Sequence, residues 1–265
     1  MSTSPFTSGP LWQRALVICF VVAGGIGGKA CYERTKKAVK REQAAELHDT
    51  AAPEIRSAFP QPRVAAAFRG MMAALETDSR FMQELKQPRT GVPKMDVAFD
   101  MEGPEGVGAQ LAARGAARLP AGALVDLIAL KIKLAKGSQM LCEGFWSGHL
   151  KSADLGAGLD KLDDADLLRW FALTRQAVEE ELRATTPLPR LAETDLEPAG
   201  ELFDQVPVHE REVLMRALDQ GTQANPADGC KVFLLFSQGA MTLPEPRRSK
   251  FLRAFSFNSL VGPEK

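Results

Sequence analysis

The chain contains a single tyrosine, few isoleucines and other β-branched residues, and no excess of either charge. The scarcity of tyrosine and of β-branched side chains argues against an extensive sheet, and the abundance of Ala and Leu favours helix on intrinsic preference. Lys plus Arg and Asp plus Glu both total 33. No global field therefore draws the chain to nucleic acid, and charge arguments have to be local. The four cysteines, Cys19, Cys31, Cys142 and Cys230, include no CxxC spacing. They are too sparse for a miniature fold stapled by disulfides, and they leave the redox compartment open.

Several motifs are approached and missed. The run Ala23-Gly24-Gly25-Ile26-Gly27-Gly28-Lys29-Ala30 resembles a phosphate loop, but Ala23 replaces the first glycine and Ala30 the hydroxyl residue that would hold Mg²⁺. The "HEREV" run at His209 has no second histidine one turn on, so it lacks the ligand pair of a zinc protease. Asp160, Asp163, Asp164 and Asp166 crowd together without the central glycine and terminal glutamate of a calcium loop, and helix capping accounts for them. Cys142 and His149 lie seven apart, two turns on one helical face, yet no third group is placed to orient the imidazole as a base. The chain is read as non-catalytic, with no metal and no cofactor; a cysteine-dependent enzyme built on Cys142 and His149 is the weaker rival.

What the sequence does contain begins with an apolar segment. Residues 15–28 carry no charge, which falls short of the roughly 20 residues of a full span. Leu11 and Trp12 lengthen it, and Arg14 and Lys29 can reach outward from its ends. Residues 15–29 are therefore expected to form a single-pass membrane anchor behind a short tail, 1–14. Gly24 and Gly28 form GxxxG, a face that could pair two copies as a homodimer. Small residues at Gly28 and Ala30 also allow a cleaved signal, whereas Lys29 spoils a lipoprotein signal at Cys31.

The flanking charge is uneven. Arg14 alone precedes the apolar run, while Lys29, Arg34, Lys36, Lys37, Lys40 and Arg41 follow it. Cations stay on the cytoplasmic side, so this pattern favours a cytoplasmic C-terminal region, and the same residues could touch anionic lipid headgroups. Cys142 and Cys230 are the counterweight: if they face each other, the domain belongs in an oxidising, extracytoplasmic compartment where they can bridge.

Residues 30–52 read as a charged juxtamembrane helix and hinge, and 53–256 as an all-helical domain ending in a tail, 257–265. In "RVAAAFRGMMAALE", Val64, Phe68, Met71, Met72 and Leu75 form one apolar stripe, and Asp78 can cap a short successor carrying Phe81, Met82 and Leu85. Residues 87–104 hold little helical rhythm and are expected to be a loop, with a brief extended piece at 97–99. Beyond it a pattern recurs about every 40 residues. Leu119-Pro120, Leu162-Asp163, Val206-Pro207 and Leu243-Pro244 each precede a helical run with a large apolar pair two turns later. Those pairs are Leu127 and Ile128, Trp170 and Phe171, Leu214 and Met215, and Phe251 and Leu252.

Pro or Asp suits a helix's opening turn, and the pair then falls on its core face. Partner helices are expected in "SQMLCEGFWSGHL", "EPAGELFDQV" and "PADGCKVFLLFSQGAM", the last capped by Asn225. The expected fold is all-α: an anchor helix followed by a multi-helix bundle, with stacked helical hairpins of the α-solenoid kind as a variant. The basic run "PEPRRSKFLRAF" is read as a docked helix with solvated charges rather than a membrane-surface or nucleic-acid contact. The function expected is a membrane-anchored protein-interaction or scaffold module, with an extracytoplasmic structural domain held by a Cys142–Cys230 disulfide as the alternative.

Overall fold

The computed structural model describes residues 59–86, 104–148, 150–188 and 192–261. Among them are eleven α-helices and no strand. In chain order they are α1 (Pro62–Leu75), α2 (Ser79–Lys86), α3 (Pro104–Ala116), α4 (Ala121–Gly137), α5 (Gln139–Ser147), α6 (Ser152–Leu159), α7 (Asp164–Arg183), α8 (Glu197–Asp204), α9 (Val208–Gln220), α10 (Pro226–Ala240) and α11 (Arg247–Val261). Short 3₁₀ turns, Glu193–Leu196 and Gly221–Gln223, precede α8 and α10.

The all-helical expectation holds throughout these residues. The anchor expected at 15–29, the juxtamembrane segment, the GxxxG face and the extended piece at 97–99 lie outside the described residues. Among the described residues no helix is long and apolar enough to cross a membrane.

The recurring helix starts behave alike in space. Leu119, Leu162, Val206 and Leu243 are all buried, and so is every member of the apolar pairs that follow except the half-buried Met215. Each of the four carbonyls is also closed by an arginine. Arg253 donates to the Leu119 and Ala117 carbonyls, Arg63 to those of Leu162 and Asp160, Arg211 to those of Val206 and Asp204, and Arg248 to that of Leu243. A guanidinium fork can satisfy two carbonyls that a turn leaves without helical partners, which lets the turn sit against the core without stranded polar groups.

The helices form two lobes around one continuous core. In the first, α3 and α7 make the most extensive helix–helix contact, α1 packs on α7, and α4 and α5 form a hairpin. In the second, α9 and α10 form a hairpin against which α8 and α11 pack. The lobes meet chiefly where α5 lies on α10, with α4 touching α10 and α11 beside it. The two hairpins thus join through their second helices.

Two helices escape the sequence reading: α3, whose first residue Pro104 lies at the end of the expected loop, and α6. Both are glycine-rich, which masks their rhythm, and in α3 the glycine has a spatial cause. A Cβ on Gly115 would stand 1.7 Å from the Ala177 carbonyl oxygen of α7. That neighbour is backbone and cannot swing aside. Gly115→Ala is therefore expected to lower the free energy of unfolding by about 2–3 kcal/mol, as overpacking of a tight crossing does, and a urea titration measures it. The gain in helix propensity, at most about 1 kcal/mol, does not offset this.

Beside the same crossing, the Glu181 carboxylate of α7 is buried, with 6% of its side chain exposed. It accepts from Arg118 Nε at 2.7 Å and pairs with Arg114 Nη2 at 2.5 Å. Arg118 continues to the carbonyls of Thr186 and Pro187, tying down the strand of chain that leaves α7. Proline and threonine there end the helix, and the chain then crosses to the second lobe.

Candidate functional site

At the contact between lobes, cysteine and aromatic side chains from distant sequence converge. Ser138 caps α5, accepting from the Leu141 amide, and Asn225 caps α10, accepting from the Ala227 amide at 3.0 Å. One turn into each helix stands a cysteine, followed three residues later by a phenylalanine: Cys142 and Phe145 on α5, Cys230 and Phe233 on α10. The two Cys-x-x-Phe faces meet. Cys142 and Cys230 are joined by a disulfide, S–S 1.99 Å with Cα atoms 5.2 Å apart, closing a separation of 88 residues. The Phe145 and Phe233 rings lie 5.8 Å apart between centroids.

Around the bridge lies a small apolar cluster of Ala135, Cys142 and Phe233, rimmed by the half-buried Phe145, Trp146, Cys230, Leu234 and Phe255. Trp146 crosses to the other lobe, donating its indole N–H to the Gly221 carbonyl at 3.2 Å. Its ring can approach α10 closely because residue 229 is glycine: a Cβ there would meet the indole at 2.0 Å. Cys142 is fully buried, whereas Cys230 is half-buried.

Lys131 of α4 extends over the Phe145 ring, its ammonium 5.8 Å from the centroid. The residue as a whole is only partly buried. Burial of the ammonium nevertheless pushes its pKa down to about 8. The folded pKa lies below that of an unfolded lysine, so the charge is destabilising at neutral pH and the burden lifts on deprotonation. Folding stability attributable to this group should accordingly rise as pH increases from about 8 towards 10.5. Lys131→Met should remove that rise, which denaturant titrations at pH 7 and pH 9.5 compare.

Other candidates resolve differently. The Cys142 sulfur is held in the bridge, so no thiol is available there to act as a nucleophile. Moreover α5 ends at Ser147, with Gly148 in the left-handed region at φ 74°, so the two-turn helical face invoked for Cys142 and His149 does not exist. His149 itself lies outside the described residues.

The aspartate cluster is occupied by its own cations: Arg63 pairs with Asp160 and Asp164, and Lys133 with Asp163 and Asp166. Asp163 caps α7 through the Asp166 amide at 2.8 Å. That bond, with the Lys133 ammonium, holds its carboxyl below the usual range. No group of His, Cys, Asp and Glu able to hold a metal occurs among the described residues. His209 is exposed and pairs only with its neighbour Glu210.

In α11, Phe251, Leu252 and Ala254 are fully buried, Arg247 pairs with Glu201, and Arg248 and Arg253 bind carbonyls. This is a docked helix whose arginines are spent internally. The residues named for lipid contact or helix pairing, Gly24, Gly28, Lys29, Arg34, Lys36, Lys37, Lys40 and Arg41, fall outside the described residues.

The chain matches no protein-family model, no curated protein and no solved structure.

Proposed function

We propose that the protein is a non-catalytic, extracytoplasmic helical domain with a structural role, tethered to a membrane through its apolar segment at 15–29. The observation that carries this reading is the Cys142–Cys230 bridge. Disulfides persist in oxidising compartments and are kept reduced in the cytosol, so a bond clasping the two lobes fits an exported domain. Flanking charge around the apolar run pointed the other way. That rule is a bias in the distribution of charge and is not absolute. A covalent bond across the contact between the lobes is the stronger argument.

A scaffold whose main role is docking other proteins is less well supported. Such a module would expose a contiguous apolar patch. Among the described residues the large exposed apolar side chains are Met140, Leu168 and Val208, on three different helices. Scattered singly, these need no partner.

The experiment pairs a topology reporter fused after Lys265 with a gel run with and without reductant. An extracytoplasmic reporter signal together with a mobility shift on reduction is the expected result. A cytoplasmic signal with free thiols at both Cys142 and Cys230 would overturn the proposal. Carbonate washing of isolated membranes tests the tether separately, since an anchored chain stays with the lipid.

A further inference from the structure

We infer that Cys230 is the entry sulfur of the bridge: the site at which a thiol–disulfide oxidoreductase forms its mixed disulfide with this protein, while Cys142 only resolves it. The inference rests on the extracytoplasmic, bridged reading above.

The asymmetry comes from burial. Cys142 has no exposed surface and sits within the cluster of Ala135 and Phe233 beneath the Phe145 and Trp146 rings. Cys230, its partner, is half-buried at the rim of that cluster. Thiol–disulfide exchange needs in-line approach of one sulfur to another, so an external reagent reaches Cys230 and not Cys142. In the bridged form Cys142 Sγ lies 3.5 Å from the Cys230 carbonyl oxygen. Packing of α5 on α10 keeps the Cys142 sulfur beside Cys230 for the second step.

The chemistry runs in two exchanges. The Cys230 thiolate attacks one sulfur of the donor disulfide, forming a Cys230–donor S–S bond and expelling a donor thiolate, which takes up the proton Cys230 released. Cys142 Sγ then attacks Cys230 Sγ, forming the native bond and expelling the second donor sulfur, to which the Cys142 proton passes. The two cysteines lose two electrons and two protons, and the donor disulfide becomes two thiols. By microscopic reversibility, reduction retraces this path and also begins at Cys230. The product clasps α5 to α10, so this single accessible sulfur governs when the two lobes are locked together.

Oxidised glutathione serves as the probe. In the folded full-length chain, Cys142→Ser is expected to take up glutathione on Cys230, and Cys230→Ser to leave Cys142 unmodified or modified at least roughly tenfold more slowly, since Cys142 reacts only through local opening. Peptide mapping by mass spectrometry assigns the adducts, and circular dichroism verifies that both variants keep their helix. Equal or faster modification of Cys142 would overturn the inference.

If either variant fails to fold, a brief pulse of reduced glutathione on the native wild-type chain, quenched in acid, answers the same question. An adduct on Cys230 supports the inference, and an adduct on Cys142, or no adduct at any exposure short of unfolding, overturns it. Free thiols at both Cys142 and Cys230 in the untreated wild-type protein would instead strike the compartment reading itself, which keeps the two failures distinct.

Discussion

Reducing the native chain, or replacing Cys142 and Cys230 together by alanine, is expected to lower the free energy of unfolding by about 4–5 kcal/mol. The figure follows from the loop the bond closes. A separation of 88 residues means that the oxidised unfolded chain is denied a large set of open conformations, and removing the bond returns that entropy to the unfolded state. Domains of this size are stable by only about 5–15 kcal/mol, so the loss consumes a large share of the total. Paired urea titrations with and without reductant measure it. The reduced wild type and the double alanine variant should agree to about 1 kcal/mol. A shift below about 1 kcal/mol would mean that the lobes are held by packing alone. The single Cys142→Ser change is a poorer probe, because its hydroxyl can still donate to the Cys230 carbonyl.

Glu181→Ala is the second large effect, expected at about 3 kcal/mol. The carboxylate is buried between Arg118 and Arg114, and removing it strands the Arg118 guanidinium, of which only 12% is exposed. Arg118 retains the Thr186 and Pro187 carbonyls, and Arg114 is half exposed to water, which places the cost at the lower end of the range for breaking a buried pair. Arg114→Ala should cost under about 1 kcal/mol, as an exposed partner does. The contrast between the two variants in denaturant midpoint checks the assignment. Equal losses would mean that the charge network acts as a unit rather than through the buried carboxylate.

Helix existence was legible wherever apolar spacing and capping chemistry agreed. Of the expected stripe, Val64, Phe68, Met72 and Leu75 are buried and Met71 is half-buried at its edge, and Asn225 and Asp78 cap the helices they precede. The four apolar-then-Pro or apolar-then-Asp starts were readable because each combines a local turn preference with a core-facing pair.

The two missed helices show the limit. Gly106, Gly108 and Gly115 in α3, and Gly156 and Gly158 in α6, read locally as breakers, and only a neighbouring helix at close range explains why a side chain is absent at Gly115. Nor could spacing reveal that Arg253 would close the Ala117 and Leu119 carbonyls, since the donor and acceptors are more than a hundred residues apart. For the cysteines, the sequence supplied a conditional statement, bridged if facing. The matching Cys-x-x-Phe spacing on two capped helices was the signal that would have turned the condition into an expectation.

That matched spacing gives each half of the chain a ready-made complement in the other. The sticky aromatic face that a lone hairpin would offer to any passing molecule is consumed internally, Phe145 against Phe233 and Trp146 against Gly229. A chain severed between Thr186 and Leu188 would therefore yield fragments that recombine into the native assembly, whereas a cut within α7 would divide one lobe's own core and leave nothing to reassemble.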